Sequence, residues 1–329
     1  MKKFLSYIKG LCYFLYNFVI VIYVMMDLLL FFDKVRLALA KRLRRGRKLP
    51  GKSFAAWSAR GYLNAPEVSV IIESHNKSLQ VMHVVGKLRD FPSIEIIVVD
   101  DGSDMEHTLR LAKGLVRGNE FLVRANDLYE NVMYNKCMRF AQAPVVVLLQ
   151  DDDDFDNLDW LHEGLRLMRE HPRMVILGGQ DGFTVKFHDG DGKSHTLEEN
   201  MTLPLDRIQR ATAGEILSGD GRFRFVEAVN RAPMFINRPL FAEYLHDIPF
   251  AYAPFQYDDY EICLRAWLAG LQVGSYSAGF RSLSAGGMRL WNGAFTQEQM
   301  RRNGPMLYKS FKTEAERIAE LVKEANSGR

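Results

Sequence analysis

The chain has 329 residues, 47% of them hydrophobic and 25% charged, an ordinary globular balance with room for one large domain or two small ones. Its three cysteines, Cys12, Cys137 and Cys263, are widely spaced and fit neither a metal-ligand pattern nor a disulfide scaffold, which points to a reducing compartment. The net charge of +3 is lopsided. Residues 1–50 hold eleven Lys/Arg against Asp27 and Asp33, whereas the remainder has 32 basic and 38 acidic residues, so the basic excess belongs to the arm, gives no general case for nucleic-acid binding and implies an anionic partner for the N-terminal arm.

Within that arm, LCYFLYNFVIVIYVMMDLLLFF (11–32) is long enough, at about 1.5 Å per residue, to cross a hydrocarbon core of about 30 Å. Only Asn17 and Asp27 interrupt it. On a helical wheel Tyr13, Tyr16, Tyr23 and Asp27 share one stripe and Phe14, Phe18, Ile22 and Met25 the other. Two poses stay open: a spanning helix whose polar stripe faces protein, or a helix lying in the interface. Asp27 costs about 2.5–3.5 kcal/mol at mid-membrane, which favours the shallow pose. The next segment, KVRLALAKRLRRGRK, carries eight Lys/Arg. Each is worth about 1 kcal/mol near an anionic membrane surface, and the positive-inside rule sets residues from 34 onward in the cytoplasm. We expect a membrane-associating arm over 1–50 and, after the Pro50–Gly51 break, a linker over 51–65.

Beyond the linker, β-branched runs alternate with helical periodicity. VSVIIESHN (68–76) reads as a buried strand ending in a polar turn, and QVMHVVGKLRDF as a helix. SIEIIVVDDGSD (93–104) repeats the theme, followed by the helix MEHTLRLAKGLV, a strand near EFLVRA, a helix near 131–142 and the strand 145–149. Strand-then-polar-loop units with intervening helices predict an α/β domain with a mainly parallel sheet. Ligands of such sheets bind beyond the carboxyl ends of the strands, where the polar clusters 73–78, 100–104 and 150–154 all fall. FHDGDGKSH (187–195) reads as a turn without the spaced ligands of a calcium loop.

The third cluster, in VVVLLQDDDDF, holds four consecutive carboxylates. Two unit charges about 4 Å apart repel by roughly 1 kcal/mol in water and 4 at a protein-like dielectric, so the cluster needs a cation or full solvation. Strand alternation would turn Asp151 and Asp153 to one side and Asp152 and Asp154 to the other. One such pair suits a hard cation that also takes phosphate oxygens. The competing reading is a solvated acidic loop in which Asp154 or Asp156 caps the following helix. YDDYEICLRAWLAG later begins with acids that a helix dipole stabilises and continues as an amphipathic helix with Ile262, Leu264 and Trp267 on its buried face. The tail after TQEQMRRNG reads as helical and charged, a solvated or docking element.

In their order, VSVIIESHN, EIIVVDDGSD, NKCMRFA, VVVLLQDDDD and YDDYEICLRAWLAG resemble the family-two glycosyltransferases of the GT-A fold over roughly residues 66–275. The resemblance implies a single GT-A domain over 66–280, with a nucleotide-binding half (66–160) and an acceptor half (161–280), followed by a lid loop and helical tail (281–329). It implies a nucleotide-sugar donor (UDP- or another NDP-sugar), Mg²⁺ or Mn²⁺ held by Asp151 and Asp153, and a single inverting displacement. Ser74, His75, Asn76, Asp100, Asp101 and Asp152 would meet the nucleotide, with Asp101 the partner of the base ring N–H; a simple DGS turn is the rival account of Asp100 and Asp101. Asp259 would take the proton from the acceptor hydroxyl, beside Asp258, which stands where the family usually has Glu; Glu261 is the second choice for that role. VEAVNRAPMFINRPLF would line the acceptor pocket, with Arg231 and Arg238 facing an anionic acceptor or the diphosphate. Arg281, Arg289 and Trp291 would belong to a mobile lid. The family's metal-binding His has no counterpart in that lid.

The expected activity is transfer to a lipid-linked or cell-envelope glycan on the cytoplasmic face of the membrane. A polyprenyl-phosphate acceptor is the variant. A nucleotidyltransferase would want a Gly-rich basic first loop that ESHNKS does not supply.

Overall fold

Three runs of β-branched residues build the centre of the sheet. β1 (Val68–Ser74) lies between β2 (Ile94–Asp101) and β4 (Val145–Leu149), parallel to both. All eight residues of β2 are buried, as continuous apolar runs covered on both faces must be. β3 (Glu120–Ala125) adds to β2 in parallel. Register levels Ser74 with Asp100 and Ile72 with Leu149, so the chain leaving each strand emerges at one edge.

This computed structural model describes residues 65–179, 181–185, 205–210, 223–231, 233–282 and 293–327, with scattered positions between 15 and 39. Beyond β4 the main sheet continues through β11 (Met234–Asn237), β6 (Met174–Gly178), β12 (Gln272–Tyr276) and β9 (Phe223–Phe225), giving the order β3-β2-β1-β4-β11-β6-β12-β9. β11 is antiparallel to both its neighbours, which makes the sheet mixed in its second half. β7 (Asp181–Val185), β8 (Leu205–Arg210) and β10 (Ala228–Val229) form a small antiparallel sheet, and β5 (Asp153–Asp154) pairs with β13 (Arg281–Ser282).

Helices α1 (Ser78–Leu88), α2 (Met105–Gly114), α3 (Tyr129–Phe140), α4 (Asp159–Glu170) and α5 (Asp258–Leu268) cover the strands, and α6 (Gly293–Phe311) and α7 (Ala315–Ser327) close the chain. Val81, Val84, Val85 and Leu88 of α1 are buried at helical spacing, and Ile262, Leu264 and Trp267 of α5 are buried as expected. Of the two readings of the tail, solvated or docking, the structure shows the docking one. Leu307, Phe311, Ile318 and Val322 are buried in the same core, and the Asn326 amide bonds both backbone groups of Phe225.

The chain divides into two compact units, Met1–Ala59 and Arg60–Arg329. In the first, the described positions are helical and exposed, among them Leu15, Phe18, Val21, Met25 and Leu28. No helix among the described residues is long and apolar enough to cross a membrane. Residues 187–195, most of the 51–65 linker, and Arg289 and Trp291 lie outside the described residues.

Candidate active site

The ends of β1 and β2 are laced together by their own polar side chains. His75 donates its backbone N–H to Asp151 Oδ2 at 2.9 Å, and its Nδ1 lies 2.7 Å from the Asp101 carbonyl oxygen, an acceptor, so that nitrogen carries the hydrogen. Asn76, at a left-handed φ of 58°, accepts from the Asp104 N–H and donates its own N–H to Ser103 Oγ. Gly102, at φ 77°, is required by the turn, because a Cβ there would come within 2.6 Å of Asp127 Oδ1. The DGS turn is therefore real, and it serves to present the flanking groups.

Of the predicted nucleotide contacts, Ser74, Asp100 and Asp101 are buried, His75 is half-buried and Asn76 exposed. Asp100 is fully enclosed and accepts from Thr108 Oγ1 at 2.5 Å. Both Asp101 oxygens accept backbone N–H groups, from Leu128 at 2.9 Å and Tyr129 at 2.7 Å. Asp101 thus fixes the turn into α3, a role the residue types alone did not disclose.

The acidic tip is not the alternating strand end expected. Asp151 and Asp152 form a turn, and only Asp153 and Asp154 are extended, in the two-residue β5. Asp154 points into a structural pair: its Oδ1 lies 2.6 Å from Lys87 Nζ and 3.4 Å from His83 Nε2. At the start of α4, Asn157 Oδ1 accepts the Asp159 N–H. Asp151, which accepts the His75 N–H, has Lys77 Nζ at 3.6 Å. Asp153 is buried and accepts the Gln150 N–H at 2.7 Å. Burial, opposed in part by that hydrogen bond and compounded by Asp152, Asp151 and Glu130, raises its pKa well above the usual carboxylate range. An all-oxygen carboxylate set with an unfavourable negative charge fits a hard divalent ion such as Mg²⁺ or Mn²⁺. Among the described residues no group of three His, Cys, Asp or Glu is arranged to hold a metal ion.

Across from this tip, Glu130, Gln150, Arg231, Asp258 and Asp259 line a cavity of about 300 Å³. Arg231 is buried between Glu130, at 2.8 Å, and Asp258, and lies 5.1 Å from the Tyr134 ring centroid. Gln150 carries the network to the acidic tip, its Nε2 donating to Glu130 Oε1 at 2.8 Å while its backbone binds Asp153. The expectation that Arg231 and Arg238 face an anionic ligand is corrected. Arg231 is consumed by two buried carboxylates, and Arg238 donates to the carbonyls of Ala143 and Gln142.

The three predicted acids of α5 have different surroundings. Asp258 is buried against Arg231. Glu261 is tied to Arg265 at 2.9 Å. Asp259 is partly exposed in the cavity, and its one described hydrogen bond comes from the adjacent Tyr260 N–H. Burial and the Asp258 charge push its carboxyl up to about 7, against the pull of Arg231. It is the acid of the three best able to exchange a proton with a ligand near neutrality. Glu130 and Gln150 escaped the sequence reading; Arg231, a buried cation, was the one signal that a partner carboxylate must exist.

A mainly parallel α/β sheet with acids gathered at its strand ends and a second acid pair lining a cavity is the class of fold whose ligands bind beyond the carboxyl ends of the strands. A family model described as Glycosyl transferase family 2 matches residues 69–231. No curated protein matches the sequence. Among solved structures, GalNAc-T7 with UDP, GalNAc and Mn²⁺ aligns with TM-score 0.51 and 15% identity, covering 65% of this chain and 43% of that one. The mannosyltransferase PcManGT from Pyrobaculum calidifontis, in complex with GDP-Man and Mn²⁺, aligns with TM-score 0.50 and 15% identity, covering 78% of this chain and 70% of that one. This chain therefore spans less than half the length of GalNAc-T7, and at such identity the likeness is one of fold, the GT-A α/β fold. Residues 69–231 thus carry a glycosyl transferase family 2 domain.

Proposed function

We propose that this protein transfers a sugar from a nucleotide-diphosphate donor to a hydroxyl of a lipid-linked or cell-envelope glycan, with inversion at the anomeric carbon. The observation that carries the reading is the position of Asp259: partly exposed in a cavity of about 300 Å³, and next to Asp258, which is linked through Arg231, Glu130 and Gln150 to Asp153. Asp259 accepts the acceptor's hydroxyl proton as that oxygen attacks the sugar carbon. Asp151 and Asp153 are the residues that would hold Mg²⁺ or Mn²⁺, and the ion when bound neutralises the diphosphate leaving group. Asp101 and His75 hold the turns on which the nucleotide half of the donor rests.

The charge of the cavity favours a hydroxyl over a polyprenyl phosphate as nucleophile. Glu130, Asp258 and Asp259 outnumber Arg231, which is already paired, so an incoming phosphate would meet uncompensated negative charge. We also propose that the arm, with its eight clustered Lys/Arg and exposed apolar positions, holds the enzyme at an anionic membrane surface with the catalytic unit in the cytoplasm.

The test is release of nucleoside diphosphate from a panel of nucleotide sugars with glycan acceptors, with and without Mn²⁺. Ion-dependent release is the expected result; release of pyrophosphate from a sugar phosphate and a nucleoside triphosphate would replace this reading with nucleotidyl transfer. Asp259→Asn should keep donor affinity by calorimetry and lose turnover by a factor on the order of 10².

A further inference from the structure

The segment that delivers Asp259 is held from outside the family-matched residues. Gln256 and Tyr257, immediately before α5, have left-handed φ values of 80° and 63°. Two successive non-glycine residues stay in that region only when their surroundings over-determine it. Three groups of α6 converge there. The Asn303 side chain, fully enclosed, donates from Nδ2 toward the carbonyls of Tyr252 at 3.0 Å, Phe255 at 2.9 Å and Gln256 at 2.9 Å. Arg302 donates to the Ala253 carbonyl, and the Phe295 ring lies 5.7 Å from those of both Phe255 and Tyr129. Tyr129 is in turn the residue whose N–H binds Asp101.

A core position that needed only bulk would hold an apolar side chain, since a buried amide is costly unless its hydrogens are used. Here they are used on the backbone of one six-residue loop, and that loop ends at the acids of α5. We infer that Asn303 is a positioning residue: its amide sets the left-handed Gln256–Tyr257 turn and thereby the placement of the Asp259 carboxylate, so that α6 belongs to the active site. This rests on Asp259 being the base. The groups that act on Asp259 from the elements around it are Asp258, Tyr257 and Cys263 on its own segment, Arg231 from the β10–β11 connection and Glu130 from α3.

The test compares Asn303→Ala and Asn303→Asp with Asn326→Ala in the full-length protein. Asn326 is a second C-terminal amide bonded to backbone, but at Phe225, on the far edge strand of the sheet. For each variant we would measure kcat, donor KM, donor affinity by calorimetry, Tm and the pH midpoint of the rising limb of kcat. Both Asn303 variants should lose at least tenfold in kcat per folded molecule, keep donor KM within about twofold, and move the midpoint down from about 7 toward the ordinary carboxylate range as the Asp259 surroundings loosen. Asn326→Ala should lower Tm and leave the midpoint in place. If the Asn303 variants lower Tm with the midpoint and kcat per folded molecule unchanged, the residue only stabilises the fold and the inference falls. Failure of the underlying reading is separable, because Asp259→Asn would then retain turnover. Should neither variant fold, Asn303→Gln, which keeps the amide donor but displaces it by one methylene, decides between the same outcomes.

Discussion

Asp258, Asp259 and Glu261 sit on one turn of helix and differ only in what they touch. A carboxylate spent on a guanidinium cannot also take a proton from a ligand, and two of the three are so spent, on Arg231 and Arg265. The raised carboxyl of Asp259 fixes the sign of two pH effects. As a base it must be ionised, so turnover should climb with pH through about 7, read as the rising limb of kcat. For stability the sign is opposite. The folded protein keeps this proton between the ordinary value of 3.8 and about 7, where the unfolded chain has released it. Its stabilising contribution is therefore whole below pH 3.8 and gone above 7. Asp259→Asn should accordingly be more stable than the parent at pH 8, by on the order of 1 kcal/mol in urea titrations, with the advantage vanishing near pH 4. Equal stability at both pH values would show that the carboxylate is better solvated than its place in the cavity implies.

At the scale of elements, the central strands were legible because burial on both faces forces an unbroken apolar run, and VVVLL became β4 with the expected bounds; EFLVRA, the partly buried edge strand β3, also kept its expected bounds. The acidic tip was less legible. Alternation holds for extended chain, but a turn at Asp151–Asp152 cancels it, and only the partner of Asp154, Lys87 on α1, explains where the fourth carboxylate goes. The Arg231 network was hidden for a different reason: its members are spread from residue 130 to 258, and no local pattern announces a contact of that range. Its weight can be measured. Arg231→Met should strand Glu130 and Asp258 in the interior and cost about 3–5 kcal/mol in urea titrations. Arg166→Met, which breaks exposed pairs to Glu163 and Glu170 on α4, should cost under about 1 kcal/mol.

For the whole molecule, the unit Arg60–Arg329 has its own core, which draws on α6 and α7 as well as the sheet. Removal of residues 1–48 should therefore leave a folded, soluble enzyme that still hydrolyses its donor, while abolishing co-sedimentation with vesicles containing anionic lipid; undiminished vesicle binding would contradict the anchor proposal. The place of β11 has a further consequence. This strand fills the gap between β4 and β6, yet it is synthesised some 85 residues after β4. Until then a nascent chain emerging from the ribosome carries Val145–Leu149 as a naked, wholly apolar edge, the kind that recruits foreign strands. Translation speed and chaperone supply across that interval should govern how much of this protein is recovered from cells.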